Sequence, residues 1–169
     1  MNDALLTELL ERVRGRFYGK YRGTVIDVDA ATMRIKAAVP SVLPGGSTGW
    51  CMACVPYAGP NVGFVMLPEI GSGVWIEFEG GDVSYPIWVG CYWRSGEVPS
   101  QASATVKSII ATAGSLAFDD GANSVTLADA QQDTVVLDSN GVTSTGQGST
   151  VAIGASGVNV NSGALMVTP

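Results

Sequence analysis

The 169-residue sequence contains no histidine, only three cysteines, and no charged residue after Asp138. Without histidine there is no Ser–His pair for nucleophilic catalysis and no imidazole to complete a zinc site around Cys51 and Cys54. If that stretch is extended, thiols three residues apart point to opposite faces, so we expect small buried hydrophobic residues there. We therefore expect no catalytic residue, no metal-binding or cofactor-binding residue, and no cofactor.

The chain also lacks long apolar runs and an excess of positive charge. No stretch approaches the roughly 20 apolar residues of a membrane span, and no basic start leads into an apolar core. We therefore expect synthesis in the cytoplasm without a signal peptide. The formal net charge of −6 argues against a nucleic-acid partner, which would require a basic face.

Composition divides the chain into two parts. All four tryptophans and all five tyrosines precede residue 100, whereas residues 105–169 consist almost entirely of small, aliphatic and polar residues. Residues 94–104 are rich in Ser, Gly and Pro and are typical of a linker. A compact domain is therefore followed by a segment built on a different plan.

Residues 3–14 predict a short amphipathic helix, because apolar residues recur at helical spacing. These residues are Leu5, Leu6, Leu9, Leu10 and Val13. They pack either on their own domain or against a partner. A basic segment follows, consisting of Arg12, Arg14, Arg16, Lys20 and Arg22. It is either a solvated face or an electrostatic contact with an acidic partner.

Alternating apolar residues predict strands from residue 21 onward. Residues 21–29 and 33–39 form a hairpin around Ala30–Thr32, and further strands are expected at 63–67, 74–79 and 87–92. Several short strands within about 75 residues, with Gly and Pro between them, favour a small closed barrel of the OB type.

The segment after the linker contains short apolar triplets at intervals of roughly seven to ten residues. They lie at residues 125–127, 135–137, 151–153, 158–160 and 165–167. Such strands are too short to bury much individually, and exposed edges invite aggregation. We expect a β-solenoid or a fibre in which several copies intertwine; the alternative is a flexible tail, which is usually poor in Val, Ile and Leu.

The stretch from Trp50 to Trp93 resembles the OB-fold domain of phage central-spike proteins, a group that includes baseplate assembly protein V and part of the VgrG proteins. The matching residues are Trp50, Pro56–Gly59, Gly63, Pro68–Gly71, Gly73–Asp82, Pro86–Gly90 and Trp93. The resemblance implies an all-β fold: an OB-fold barrel preceded by a short helix and followed by an intertwined trimeric β-helix needle. The corresponding domains are 1–20 (helix and basic segment), 21–93 (barrel), 94–104 (linker) and 105–169 (needle).

The resemblance also implies partners. Some relatives carry a lysozyme domain between barrel and needle, and the short linker leaves no room for one here. Others hold an iron through histidines at the needle apex, which a chain without histidine cannot do. Leu165, Met166 and Val167 are therefore expected to bind a PAAR-type tip protein, and Leu5, Leu6, Leu9 and Leu10 to bind the baseplate hub.

The function implied is structural. The homotrimer is expected to be the central spike of a phage tail or another contractile injection particle, anchored to the hub and piercing the target envelope in transient contact. One alternative is an OB-fold module that binds carbohydrate or oligonucleotide through Trp50, Trp75, Trp88 and Trp93, although these rings are better suited to filling the barrel and its subunit contacts. Another is a glycan-degrading enzyme using Asp119 and Asp120, but adjacent carboxylates diverge on a strand.

Overall fold

A computed structural model describes residues 3–168 and divides the chain into two compact units, between Glu97 and Val98. Met1, Asn2 and Pro169, which belong to the expected segments 1–20 and 105–169, lie outside the described residues. The first unit contains α1 (Asp3–Arg14), β1 (Tyr21–Asp29), β2 (Arg34–Ala38), β3 (Met52–Ala53), β4 (Ala58–Gly59), β5 (Val62–Gly63), β6 (Gly73–Phe78) and β7 (Pro86–Tyr92). The second contains β8 (Val106–Ala111), β9 (Gly114–Asp119), β10 (Ser124–Asp129), β11 (Thr134–Asp138), β12 (Gly141–Gly146), β13 (Ser149–Gly154), β14 (Gly157–Val160) and β15 (Leu165–Val167).

The first unit is a closed barrel. Strand β1 pairs with β2 on one side and with β6 on the other, β6 pairs with β7, and β3 lies parallel to β7. A bridge between Ile35 and Cys51 closes the circle, with the Cys51 amide donating to the Ile35 carbonyl at 2.7 Å. This strand order, with a parallel contact between β3 and β7, is the OB-type barrel that the sequence predicts.

The barrel core is almost entirely apolar. Its fully buried side chains include Val25, Ile35, Val39, Cys51, Val74 and Ile76, which alternate with outward-facing residues along their strands. Thr48 is the buried polar residue of this core: its hydroxyl accepts a hydrogen bond from the Ala37 amide at 3.0 Å and lies 3.2 Å from Cys51 Sγ.

Burial raises the pKa of the Cys51 thiol, whereas Cys54 is exposed. The two cysteines therefore occupy separate environments, as the sequence predicts, but the expectation of a buried residue is wrong for Cys54. Cys51 is a core residue.

The strand predicted at residues 63–67 is absent from the barrel. Strands β4 and β5, each two residues long, form a hairpin that ends at Gly63, and irregular chain follows. Pro60 and Pro68 flank residues 63–67, and proline has no amide hydrogen to donate to the hydrogen bonds of a β-sheet. Of the tryptophans, Trp88 is buried in the barrel, whereas Trp50 and Trp93 are exposed in the single chain. For the exposed rings, the predicted role in subunit contacts stays a prediction.

The second unit is an antiparallel meander in which strands β8 to β15 pair in chain order. The apolar triplets at 125–127, 135–137, 151–153, 158–160 and 165–167 all lie in strands, as predicted. Within one chain, these strands do not form a β-solenoid, and the intertwined form that the sequence favours stays a prediction. Each strand turns back along its predecessor, whereas the equivalent strands of a solenoid stack after a complete coil.

Aspartate side chains shape several of the tight turns in this meander. Asp119 Oδ1 accepts hydrogen bonds from the amides of Gly121 at 2.8 Å and Ala122 at 3.1 Å. Asp138 Oδ1 accepts one from the Asn140 amide at 2.7 Å. These local bonds satisfy backbone groups that the ladder leaves free, and so fix where each strand ends.

Gly141 and Gly146 stand at the two ends of β12 and provide a matched test of the meander. Gly141 has φ 125°, and a Cβ there would overlap the Ile153 carbonyl oxygen, whereas a Cβ at Gly146 meets its nearest atom, Asp133 Cγ, at an ordinary 3.4 Å. We expect Gly141→Ala to lower stability by about 1–3 kcal/mol and Gly146→Ala to have a much smaller effect. Thermal denaturation of both variants measures the difference, and equal losses would contradict the assigned register.

Candidate assembly interfaces

The register of the meander separates its side chains into two faces of different chemistry. Residues directly opposite one another share a face, and successive residues alternate between faces. The apolar face comprises Ile109, Leu116, Phe118, Val125, Leu127, Val135, Leu137, Val142, Val151, Ile153, Val158, Val160, Leu165 and Val167, with Lys107, Asp129, Ser144 and Ser149 as its polar members. The threonine face comprises Ser108, Ile110, Ser115, Ala117, Thr126, Ala128, Thr134, Val136, Thr143, Thr145, Thr150, Ala152, Asn159 and Met166.

The apolar face is incompletely covered within one chain. Leu127 is 56% exposed and Ile153 is 52% exposed, and no residue of the barrel core belongs to this sheet. A continuous aliphatic surface of this extent usually marks an interface. The apolar face of the second unit is therefore only partly buried in one chain, and other copies or partners are required to cover it.

Helix α1 presents a second exposed apolar surface. At about 100° per residue, its apolar side chains fall within a stripe of about 140°. All of them are exposed in the single chain: Leu5, Leu6, Leu9, Leu10 and Val13. The chain just after the helix is fixed to the barrel, because the Phe17 amide donates to the Gly81 carbonyl at 2.8 Å and its ring packs near Phe78. The leucine stripe (Leu5, Leu6, Leu9, Leu10 and Val13) thus lies close in sequence to a segment that is bound to the barrel, and the barrel does not bury it.

The basic segment that follows the helix is partly neutralised within the chain. Arg16 Nη1 lies 3.0 Å from Asp82 Oδ2, and Lys20 pairs with Glu77. Hydrogen bonds from Ser84, with Arg16 beside the carboxylate, hold the pKa of Asp82 below its usual value. Arg22 stacks on the Trp75 ring with its guanidinium carbon 5.6 Å from the ring centre. The Arg12 side chain lies outside the described residues, and the others do not form one free basic patch.

The final strand, β15, forms a third candidate interface. It pairs with β14, and its other edge has no strand partner among the described residues. Leu165 and Val167 lie on the apolar face and Met166 on the threonine face, and all are more than half exposed. The edge therefore offers free backbone groups together with apolar side chains.

The acidic residues considered for catalysis are occupied locally. Asp119 caps the turn after β9, and Asp120 forms an ion pair with Lys107. Across residues 3–168, no group of three or more His, Cys, Asp or Glu side chains is placed to hold a metal ion. Within the same range, no helix has the length and apolar character needed to cross a membrane.

Two family profiles match successive parts of the chain. Residues 21–93 match the type VI secretion system/phage-baseplate injector OB domain, and residues 107–166 match the phage baseplate V C-terminal trimerisation domain. The chain belongs to the phage baseplate V family. No curated protein matches the sequence.

Family membership gives the two units their roles. The barrel is the injector OB domain, and the meander is a trimerisation domain, which supports a homotrimer. The two matches support a structural role in a phage baseplate or a related injector. They also suggest that the protein is non-enzymatic and is part of a tail particle.

Sequence reasoning found the strands of the trimerisation domain but not the separation of its faces. The signal was present in triplets such as Val125-Thr-Leu127 and Val151-Ala-Ile153, whose outer residues are aliphatic and whose central residue is small or polar. Assigning these residues to one continuous face requires knowledge of the register between strands, because a shift of one residue would move every side chain of a strand to the other face.

Neighbouring residues of β13 test which face lies inside the trimer. Ile153 is on the apolar face and Ala152 on the threonine face. Three copies of Ile153→Asp would bring like charges into an apolar interior, so we expect loss of the trimer. Ala152→Asp should leave it intact. Light scattering distinguishes a mass of about 17.4 kDa from one about three times as large; dissociation by Ala152→Asp alone would show that the assignment of faces is reversed.

Proposed function

We propose that this protein is the central spike of a contractile injection particle, in which a trimeric needle transmits the thrust of contraction and pierces the target envelope. The observation that supports this most strongly is the continuous apolar face of a domain matched to baseplate V trimerisation. Three such faces directed toward one axis form a dry, close-packed interior, in the manner of the intertwined β-helical needle that the sequence resembles.

The hydrogen bonding of the meander suits a domain that bears mechanical load. Each strand from β9 to β14 is hydrogen-bonded on both sides, so deforming the sheet requires breaking several backbone hydrogen bonds together. When strands are shared in a trimer, unfolding is also coupled to dissociation, which favours slow unfolding. These properties support a mechanical role.

We further propose that the leucine stripe of α1 attaches the spike to the baseplate hub. The stripe is exposed and apolar, and the adjoining chain is anchored to the barrel through Phe17 and Arg16. Force passing along the spike would then reach the hub through a short, fixed connection. The bonds formed by Phe17 and Arg16 hold the chain next to the helix against the barrel.

Replacing two leucines of the stripe tests the hub contact. We expect Leu6→Ser with Leu9→Ser to prevent incorporation of the spike into particles, because each change removes about 2 kcal/mol of apolar burial from the proposed interface. The trimer itself should stay folded. Particle incorporation is scored by immunoblotting purified particles, with Tyr85→Ser as an exposed control outside the helix. A double variant that incorporates normally would refute the contact, and one that fails to fold would assign the leucines to the chain's own core.

At the opposite end of the sequence, we propose that β15 binds a PAAR-type tip protein. Its unpaired edge and the side chains of Leu165, Met166 and Val167 support a partner that adds apolar and backbone contacts. Met166 is the most informative of the three, because it lies on the threonine face and does not enter the proposed trimer interior.

A charge at Met166 should therefore release the tip protein and spare the trimer. We expect Met166→Asp to abolish co-purification of a PAAR-type protein with the spike while the trimeric mass is unchanged. Val167→Asp serves as the comparison, since Val167 lies on the apolar face and its change should disturb both assemblies. Retention of the tip protein by Met166→Asp would count against this interface.

A further inference from the structure

A long uncharged stretch of the barrel domain contains several exposed apolar side chains. No Asp, Glu, Lys or Arg occurs between Lys36 and Glu69. Residues 56–70, which overlap the end of this stretch, form what we call the arm: the β4–β5 hairpin and the irregular chain after it. Its exposed large side chains are Tyr57, Val62, Phe64, Val65, Met66 and Ile70.

The arm is attached to the barrel but is not buried by it. Val55, which precedes the arm, and Leu67, which lies near the end of the arm, pack against the core. The hairpin between them is held by the pairs Ala58–Gly63 and Gly59–Val62 and by a bond from the Phe64 amide to the Tyr57 carbonyl at 2.8 Å. Val65, by contrast, is 70% exposed. A surface of this kind marks a contact site.

We propose that the arm of each barrel packs against the barrel of a neighbouring copy, so that the homotrimer has a second interface in its OB domains. This inference rests on the homotrimer of the proposed function. Trimerisation of residues 107–166 brings two further barrels close to each arm, because residues 94–105 span at most about 40 Å. Tethering of this kind gives effective concentrations of roughly millimolar, at which a modest apolar contact forms.

The absence of charge favours a second copy as the occupant. Burying a charged group between subunits costs desolvation free energy unless an opposite charge meets it, and a tethered copy of the same chain can supply apolar cover without such a partner. The arm avoids this cost because its first charged residue is Glu69, near its end. The leucine stripe of α1 is a separate surface and stays available for the hub.

Two methionines provide a matched probe of this interface. Met66 in the arm is 49% exposed in the single chain, and Met52 in β3 is 51% exposed. In the purified homotrimer, with no hub protein present, we expect hydrogen peroxide to oxidise Met66 about tenfold more slowly than Met52, because a covered side chain reacts only through local opening. Peptide mass spectrometry measures both rates in one sample.

A charged substitution makes the test specific to the arm. Val65→Asp should raise the Met66 oxidation rate to near that of Met52, while the trimeric mass persists through the C-terminal domain. Tyr85→Asp, an exposed position outside the arm, should change neither rate.

The outcomes separate this inference from the proposed function. Equal oxidation of Met66 and Met52 in a trimer would overturn the arm interface alone, as would protection that survives Val65→Asp. Protection that appears only after hub protein is added would assign the arm to a foreign partner and overturn the contact between copies. A monomeric mass would overturn both the interface and the proposed spike.

Discussion

The structure depends on the hydrophobic burial that one chain cannot complete alone. In the C-terminal sheet, aliphatic side chains from successive strands collect on one face, and residues such as Leu127 and Ile153 stay about half exposed. Burying a side chain of this size contributes about 1.5–3 kcal/mol. Folding of this unit and association of copies therefore draw on the same driving force, which explains why a short, charge-poor segment can serve as a stable trimerisation domain.

Local chemistry maintains the register that this burial requires. Aspartates such as Asp119 and Asp138 hold the turns by accepting backbone hydrogen bonds, and Gly141 allows a strand to begin where a side chain would strike a neighbouring carbonyl. A slip of one residue would place threonines toward the axis and aliphatic residues toward water. The turns consequently specify the assembly as much as the apolar residues do. The barrel is different, because its core is complete within one chain.

The sequence allows much of this arrangement to be predicted. Periodicity gives the helix and the β1–β2 hairpin, and the apolar triplets give the C-terminal strands. Closure of the barrel by Ile35 and Cys51 leaves no local signal, because β3 is only two residues long and its partners are distant in sequence. Residues 63–67 have an apolar composition like that of a strand, but prolines and tertiary packing make them part of an exposed arm. The faces of the meander become evident only when strand register is known.

The central claim is that the apolar face of the meander lies at a threefold axis. The most direct measurement is an experimental structure of the purified chain by crystallography or electron microscopy. We expect three copies with Leu127, Val142 and Ile153 of each directed toward the axis, and with Thr126, Thr143 and Ala152 directed outward. A monomer with this face exposed to solvent, or a trimer with the threonine face inside, would contradict it.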